Sequence, residues 1–479
     1  MRYAAAILVS LLAAASAFAQ DLTPRGQVPD HPIAITGATI HTMVEGTEPI
    51  EGGYVLFENG RITDIGSGEQ MFIGTTRIID GAGMHVYPGL IAAGTRLGLA
   101  EIGAVRAMRD YAEVGSIKPE VRAVVAVNPD STLLPVARTN GILLVGTFPS
   151  GGLVSGQAGV IRLDGWTWED MTANANAGVV MSWPSIRQGH RTFGGGQSLT
   201  ESAVRQRLGA IDRLFDTAEA YRDAKAADPS TPVDLRMEAM LHLLPTAEQQ
   251  KPLIITADDV ERIQSAVTWA AGRGLKVVIR GGRDAPMLAE LLKKHDVPVI
   301  VRGTNAFPRR SDSPVDEAFT LPARLNAAGV RWCLAPRDPD EHVRNLPYEA
   351  ALAVAYGRRM GFDENDAIAS ITRSAAEILG IGDRYGTLEV GKSATLLLTD
   401  GTPLEMTTTI ETAFIDGARV DLSNKQTVLR DKYTEKYRRK GLLERDNCRR
   451  SRTSQCMLCV TQGRAQSRCS PPCSRVHQR

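Results

Sequence analysis

The sequence predicts an α/β fold: a TIM-like (β/α)8 barrel together with a small composite β-sandwich formed by both chain ends. Three observations carry that expectation. The chain has 479 residues, more than one average domain of roughly 100–200 residues and enough for a barrel with an appended unit. Between residues 89 and 383, short β-branched or Leu-rich runs are followed by longer helical stretches, the pattern of a parallel sheet wrapped by helices. Strand-like segments lie before that region and return after it.

Composition narrows the function classes. With 43% hydrophobic and 23% charged residues, and 45 glycines against 5% aromatics, the chain reads as globular and turn-rich, which excludes disorder, collagen and a multi-span membrane protein. The formal net charge of +1 hides two unlike parts, because residues 441–479 hold eight Arg and two acids. The first 440 residues are therefore mildly acidic and show no basic stripe, so nucleic acid is not an expected partner.

Met1-Arg2-Tyr3, the apolar stretch Ala4 to Ala17 and Ala17-Phe18-Ala19 fit a signal peptide over 1–19 with a small-x-small cleavage site. An exported protein, periplasmic or secreted, is the expectation. No later segment reaches the ~18 apolar residues of a membrane span.

Over 30–88 the sequence reads as strands. Ile33, Ile35 and Ile40 lie near a break at Gly37, and Tyr54 to Phe57 and Arg61 to Ile65 flank Asn59-Gly60, a hairpin signal because a type I′ turn needs positive φ at both central positions. Within 89–383, strand candidates include Gly141 to Val145, Val179 to Met181, Leu253 to Ile255, Lys276 to Ile279, Val297 to Val301 and Val330 to Ala335. Helical candidates are 200–226, 258–272, 315–327, 347–359 and 363–373. Strand character returns over 384–422, a basic helix is expected at 425–440, and 441–479 is an Arg- and Cys-rich tail expected to be disordered.

Two segments identify a family. Ile78-Ile79-Asp80-Gly81 followed by Tyr87-Pro88-Gly89-Leu90-Ile91, and Thr372, Ala375-Ala376, Leu379-Gly380 followed by Gly386-Thr387-Leu388-Glu389-Val390-Gly391-Lys392, resemble the entry into and exit from the barrel in the amidohydrolase superfamily, particularly its imidazolonepropionase-like branch. The resemblance covers about 30–422 and implies a metal-dependent-hydrolase type of barrel, with zinc or iron assisting hydrolysis of carbon–nitrogen bonds other than peptide bonds.

The family's metal ligands are replaced. Where the resemblance implies Asp-x-His-x-His, the chain has Ala92, Gly94 and Arg96; the strand-five and strand-six histidines align with Thr256 and Gly281, and the strand-eight aspartate with Arg337. Glycine offers no lone pair, and arginine places a permanent cation where neutral imidazole should meet Zn²⁺. No cofactor is expected, and loss of metal-dependent chemistry would leave a ligand- or partner-binding role, with a catalytic relative as one possible partner.

Arg96, Arg280 and Arg337 fall at carboxyl ends of strands, where barrel sites are built. With Thr256 they form an expected site for a small anionic ligand; alternatively the arginines pair internally with Asp258, Asp284 or Asp338. The competing functional reading is a working C–N hydrolase with a rebuilt or metal-independent centre, in which Asp338 and His342 act on water. Gly151-Gly152 reads as a tight turn, Gly194 to Gly196 as a hinge, and Cys333 as a small buried hydrophobe.

Overall fold

The computed structural model describes residues 25–68, 70, 72, 74–186 and 200–443. The expected signal peptide over 1–19, His190, Gly194 to Gly196 and the tail cysteines lie outside the described residues. Before the barrel come β1 (Ile33–Ile40), β2 (Ile50–Glu58), β3 (Arg61–Ser67), β4 (Arg77–Asp80) and β5 (His85–Pro88). The barrel sheet contains β6 (Leu90–Thr95), β7 (Ile142–Thr147), β8 (Val154–Arg162), β9 (Thr172–Ser182), β10 (Leu253–Ala257), β11 (Val277–Gly281), β12 (Val299–Arg302) and β13 (Trp332–Ala335). β14 (Leu396–Thr399), β15 (Ile410–Ile415) and β16 (Ala418–Arg419) follow.

Both chain ends meet in one eight-stranded sheet, ordered β16-β15-β14-β5-β1-β2-β3 with β4 beside β1. The junction is β14 against β5, antiparallel from Leu396 opposite Pro88 to Thr399 opposite His85. The two walls expected of a sandwich are therefore one continuous sheet that curls on itself. Phe57 of β2 and Phe414 of β15 are four strands apart in that order, yet their rings meet edge to face with centroids 5.0 Å apart. Ile35, Val55, Val86 and Leu396 fill the space between; each such side chain contributes roughly 1.5–3 kcal/mol when fully buried. Gly37, expected to break the first strand, instead lies within β1 at a register shift between Thr36 and Ala38, a bulge that bends the strand without ending it. Asn59 and Gly60 have φ of 51° and 80°, the geometry their turn requires.

The barrel departs from uniform strand–helix alternation in its first half. β8 pairs antiparallel with both β7 and β9, whereas β6–β7 and every neighbouring pair from β9 to β13 are parallel. β7 and β8 are joined by a tight loop in which Gly151 and Gly152 take positive φ, and a parallel connection would need a crossover of a dozen residues or more. From β10 onward each strand is followed by a helix. Val260–Gly272 is capped by Asp259, whose side chain accepts the Arg262 N–H, and it buries Ile263, Ala266, Val267 and Ala270, the i, i+3, i+4, i+7 stripe of a helix seated on a sheet. The expected helix over 363–373 is two shorter ones, Glu364–Ser370 and Arg373–Ile378. The edge strands β6 and β13 lie side by side, and the Arg96 N–H donates to the Pro339 carbonyl at 2.8 Å just beyond them, so the sheet is nearly closed.

Residues from Lys425 onward form a separate unit, whose helix Lys425–Arg439 buries no side chain. No helix among the described residues is long and apolar enough to cross a membrane.

Candidate functional site

Strand register decides which side chains share the lumen. Ser182, Thr256 and Arg280 are successive Cα partners across β9, β10 and β11, and Arg280 in turn faces Ile300 of β12. Directly paired residues point to one face of a sheet, as do residues two apart on a strand. Arg302 therefore shares the face of Arg280. That face is the interior, because Arg280 Nη2 donates to the Gly94 carbonyl at 3.0 Å and Gly94 belongs to β6, five strands away in the sheet.

Arg280 thus crosses the lumen. Its guanidinium sits over the Phe148 ring, 5.2 Å from the centroid, and its Nε is enclosed and meets no acceptor. Burial, reinforced by the neighbouring Arg302 and Arg96, pulls it down to about 10, which leaves it cationic at neutral pH. Arg302 is half-buried and was not picked out from the sequence, although it ends the Val299–Arg302 run on the same side of the barrel.

The other arginines behave differently. Arg96 stacks on Tyr111 at 4.3 Å and grips Asp340 with two bonds, Nε to Oδ1 at 2.9 Å and Nη2 to Oδ2 at 2.6 Å. Its partner is none of the three aspartates expected; Asp284 is taken by Arg310 at 3.1 Å and Asp338 by His342 at 2.8 Å. Arg337 is an exposed side chain just beyond β13. Its backbone N–H, which donates to Glu349 Oε1 at 3.0 Å, is the part that is used.

Glu349 holds the loops after β12 and β13 together. Besides Arg337, it accepts the Thr304 N–H at 3.0 Å, and a side chain at Gly303 (φ +61°) would place Cβ 2.3 Å from its Oε2. Burial pushes its carboxyl up to about 7 against the backbone N–H groups that favour the charged form. A buried acid inside a helix has no distinguishing pattern in the sequence, and it was missed.

The donor set does not fit a zinc or iron ion in the lumen. Gly94 and Gly281 stand at two ligand positions with φ of +74° and +109°, a region that penalises side chains. A Cβ at Gly281 would lie 2.5 Å from Asp258 Oδ1, and one at Gly94 would lie 3.3 Å from Arg280 Nε. The backbone as well as the side chains is committed to another arrangement. Thr256 contributes a half-buried hydroxyl beside Arg280, and Ala92 is buried in β6.

Asp338, Glu341 and His342 gather on the rim, with one ligand atom from each within 4.8 Å of the others. Burial pushes the Asp338 carboxyl up, but the Asp340 N–H and His342 hold it below its ordinary value. Asp340 is raised, first by burial and then by Asp338 and Glu341, against the pull of Arg96. Three side chains on one partly exposed loop form an acid–base cluster rather than a closed coordination shell. Cys333 is fully buried, and its thiol is pushed up by that burial.

Comparison with known proteins agrees with the architecture. The amidohydrolase family profile matches residues 224–428. Imidazolonepropionase of Brucella suis (strain ATCC 23445 / NCTC 10510) is 32% identical over 153 residues, which are 31% of this chain and 35% of that protein. Imidazolonepropionase of Brucella anthropi is 31% identical over 195 residues, 40% of this chain and 44% of that protein. These alignments span less than half of the relatives' length. A crystal structure of an amidohydrolase from Thermotoga maritima MSB8 superposes with a TM-score of 0.70 at 25% identity, covering 81% of this chain and 99% of that one. Fold, barrel-flanking segments and relatives converge on one likeness: residues 224–428 match the amidohydrolase family, and the chain is similar to imidazolonepropionases and to a solved amidohydrolase.

Proposed function

We propose that this is an exported member of the superfamily in which metal-assisted C–N hydrolysis has been lost and the barrel mouth serves as a ligand- or partner-binding site, with a catalytic relative as the natural partner. The observation that carries the reading is Arg280, whose guanidinium spans the lumen to the Gly94 carbonyl. In the family reaction a bound metal lowers the pKa of water from about 15.7 to near 7. A fixed cation in that space repels the ion, and glycines at two ligand positions supply no donor. The test is metal analysis of the purified chain after incubation with Zn²⁺ and Fe²⁺. The expected result is metal far below one ion per chain; stoichiometric, tightly held metal overturns the reading.

A second reading rests on the Asp338–His342 pair, whose Oδ2 and Nδ1 are 2.8 Å apart. An imidazole oriented by a carboxylate can take a proton from water, but such general-base help is worth only about 10²–10⁴-fold. Hydrolysis of a simple amide or imidazolone that persists in chelator and falls in both Asp338→Asn and His342→Gln would favour it.

A further inference from the structure

Two guanidinium groups share the lumen, and neither is matched by a carboxylate. Arg280 spends Nη2 on a neutral carbonyl and leaves Nε enclosed without an acceptor. Arg302, two residues beyond the Ile300 that pairs with Arg280, points into the same space. Among the described residues its side chain has no hydrogen bond or ion pair. Asp340 cannot serve as their counter-charge, because the Arg96 fork holds both of its oxygens. Asp258, the remaining acid nearby, has its Oδ1 against the Gly281 backbone and acts on Arg280 only as the last of its electrostatic neighbours.

Buried charges are normally paired; Arg280 is buried without a counter-charge, and the half-buried Arg302 beside it adds like-charge repulsion. An anion placed between them removes both costs. Planar guanidinium forks suit oxyanions with two coplanar acceptors. The hydroxyl-bearing residues Thr256 and Ser182 continue the row from Arg280 across β10 and β9, so further donors flank the same place.

We propose that Arg280 and Arg302 form a binding site for the oxyanion of a small organic acid, carboxylate or phosphate ester, inside the barrel. It rests on the reading that no metal holds the lumen and extends it by naming the ligand class and the residues that recognise it. Arg302 is the principal recognition residue, since Arg280 is partly committed to Gly94.

Calorimetric titration of the full chain in chloride-free buffer, with acetate, succinate and inorganic phosphate as probes, tests it. At least one probe should bind, and Arg302→Gln should weaken it about tenfold or more, the scale of one lost charge-assisted contact. Arg280→Met should do the same. Arg331→Gln, which removes an exposed arginine paired with Asp296 before β13, should leave binding unchanged. Succinate or acetate binding preferentially assigns a carboxylate, and phosphate binding preferentially assigns a phosphate ester. Should Arg280→Met not fold, Arg302→Gln decides, because Arg302 has no packing partner to lose among the ion pairs described. Binding of no probe, or equal binding by wild type and Arg302→Gln, overturns the site. Metal content of the same samples separates the two failures: a metal-loaded chain overturns the metal-free reading, whereas a metal-free chain that ignores every probe overturns only the oxyanion site.

Discussion

The two halves of the barrel solve the same closure problem in different ways. From β10 to β13, strand and helix alternate, the strands are parallel, and the buried face of each helix covers the sheet. From β6 to β9, the sheet is closed with an antiparallel strand, and its outer layer is built from loops, short 3-10 turns and two short helices, Leu133–Arg138 and Trp168–Met171. The regular half supplies the rigid floor of the lumen: Thr256, Arg280 and Arg302. The irregular half supplies what leans over it: Gly94, Phe148 and Tyr111. A repeating βα unit fixes side-chain direction through register, whereas a hairpin with long connections leaves it to individual contacts.

Each half has its own anchor, and breaking them should separate their contributions. The irregular half is tied to the curled sheet by Asp416, which receives Arg162 of β8 together with Arg384 at 2.9 Å and Ser393 at 2.5 Å. Asp416→Ala leaves the Arg162 guanidinium without its counter-charge and should cost about 3–5 kcal/mol in urea unfolding. That is the largest effect expected of any single change considered.

Glu349 anchors the regular half. Glu349→Ala strips acceptors from the Thr304 and Arg337 N–H groups and should cost about 2–4 kcal/mol. Its charge gives a pH signature of definite sign. The folded carboxyl is raised from 4.5 to about 7, so its contribution is fully present below pH 4.5 and is lost as pH rises through 7. Thermal midpoints of wild type should carry that decline over this window, and Glu349→Gln should flatten it.

Gly178→Ala probes the β8–β9 hairpin. Its φ is +139°, and an added Cβ would lie 2.5 Å from the Pro252 carbonyl, so a loss of about 2 kcal/mol is expected from backbone strain and displacement of β10. Circular-dichroism melts would show whether the irregular half tolerates the shift.

Arg280→Met should have the smallest effect on stability and the opposite sign. Replacing an uncompensated buried cation by an apolar side chain of similar length is neutral or stabilising by about 1–2 kcal/mol in anion-free buffer. A clear loss of stability would mean that Arg280 is a structural strut.

Much of the architecture was legible. The segments at 78–91 and 372–392 announced where the barrel begins and ends, and strand-end arginines could be placed because helix caps and β-branched runs locate those ends. β8 was not legible. Val154–Arg162 is buried on both faces along most of its length, so it lacks the alternation that marks a strand, and nothing local reveals its direction. Arg302 escaped notice at the end of a short run. His41 and His85, which no local pattern links, form one pair with ring nitrogens 3.1 Å apart.

Sequence alone determined which chemical groups the chain brings to the strand ends, Gly94, Arg96 and Arg280 among them. Tertiary structure alone decided which of those arginines is neutralised. Pairing depends on distances across a closed sheet, and Arg96 with Asp340 or Arg280 with Gly94 are joined by contacts spanning 244 and 186 residues, far beyond the reach of any local pattern.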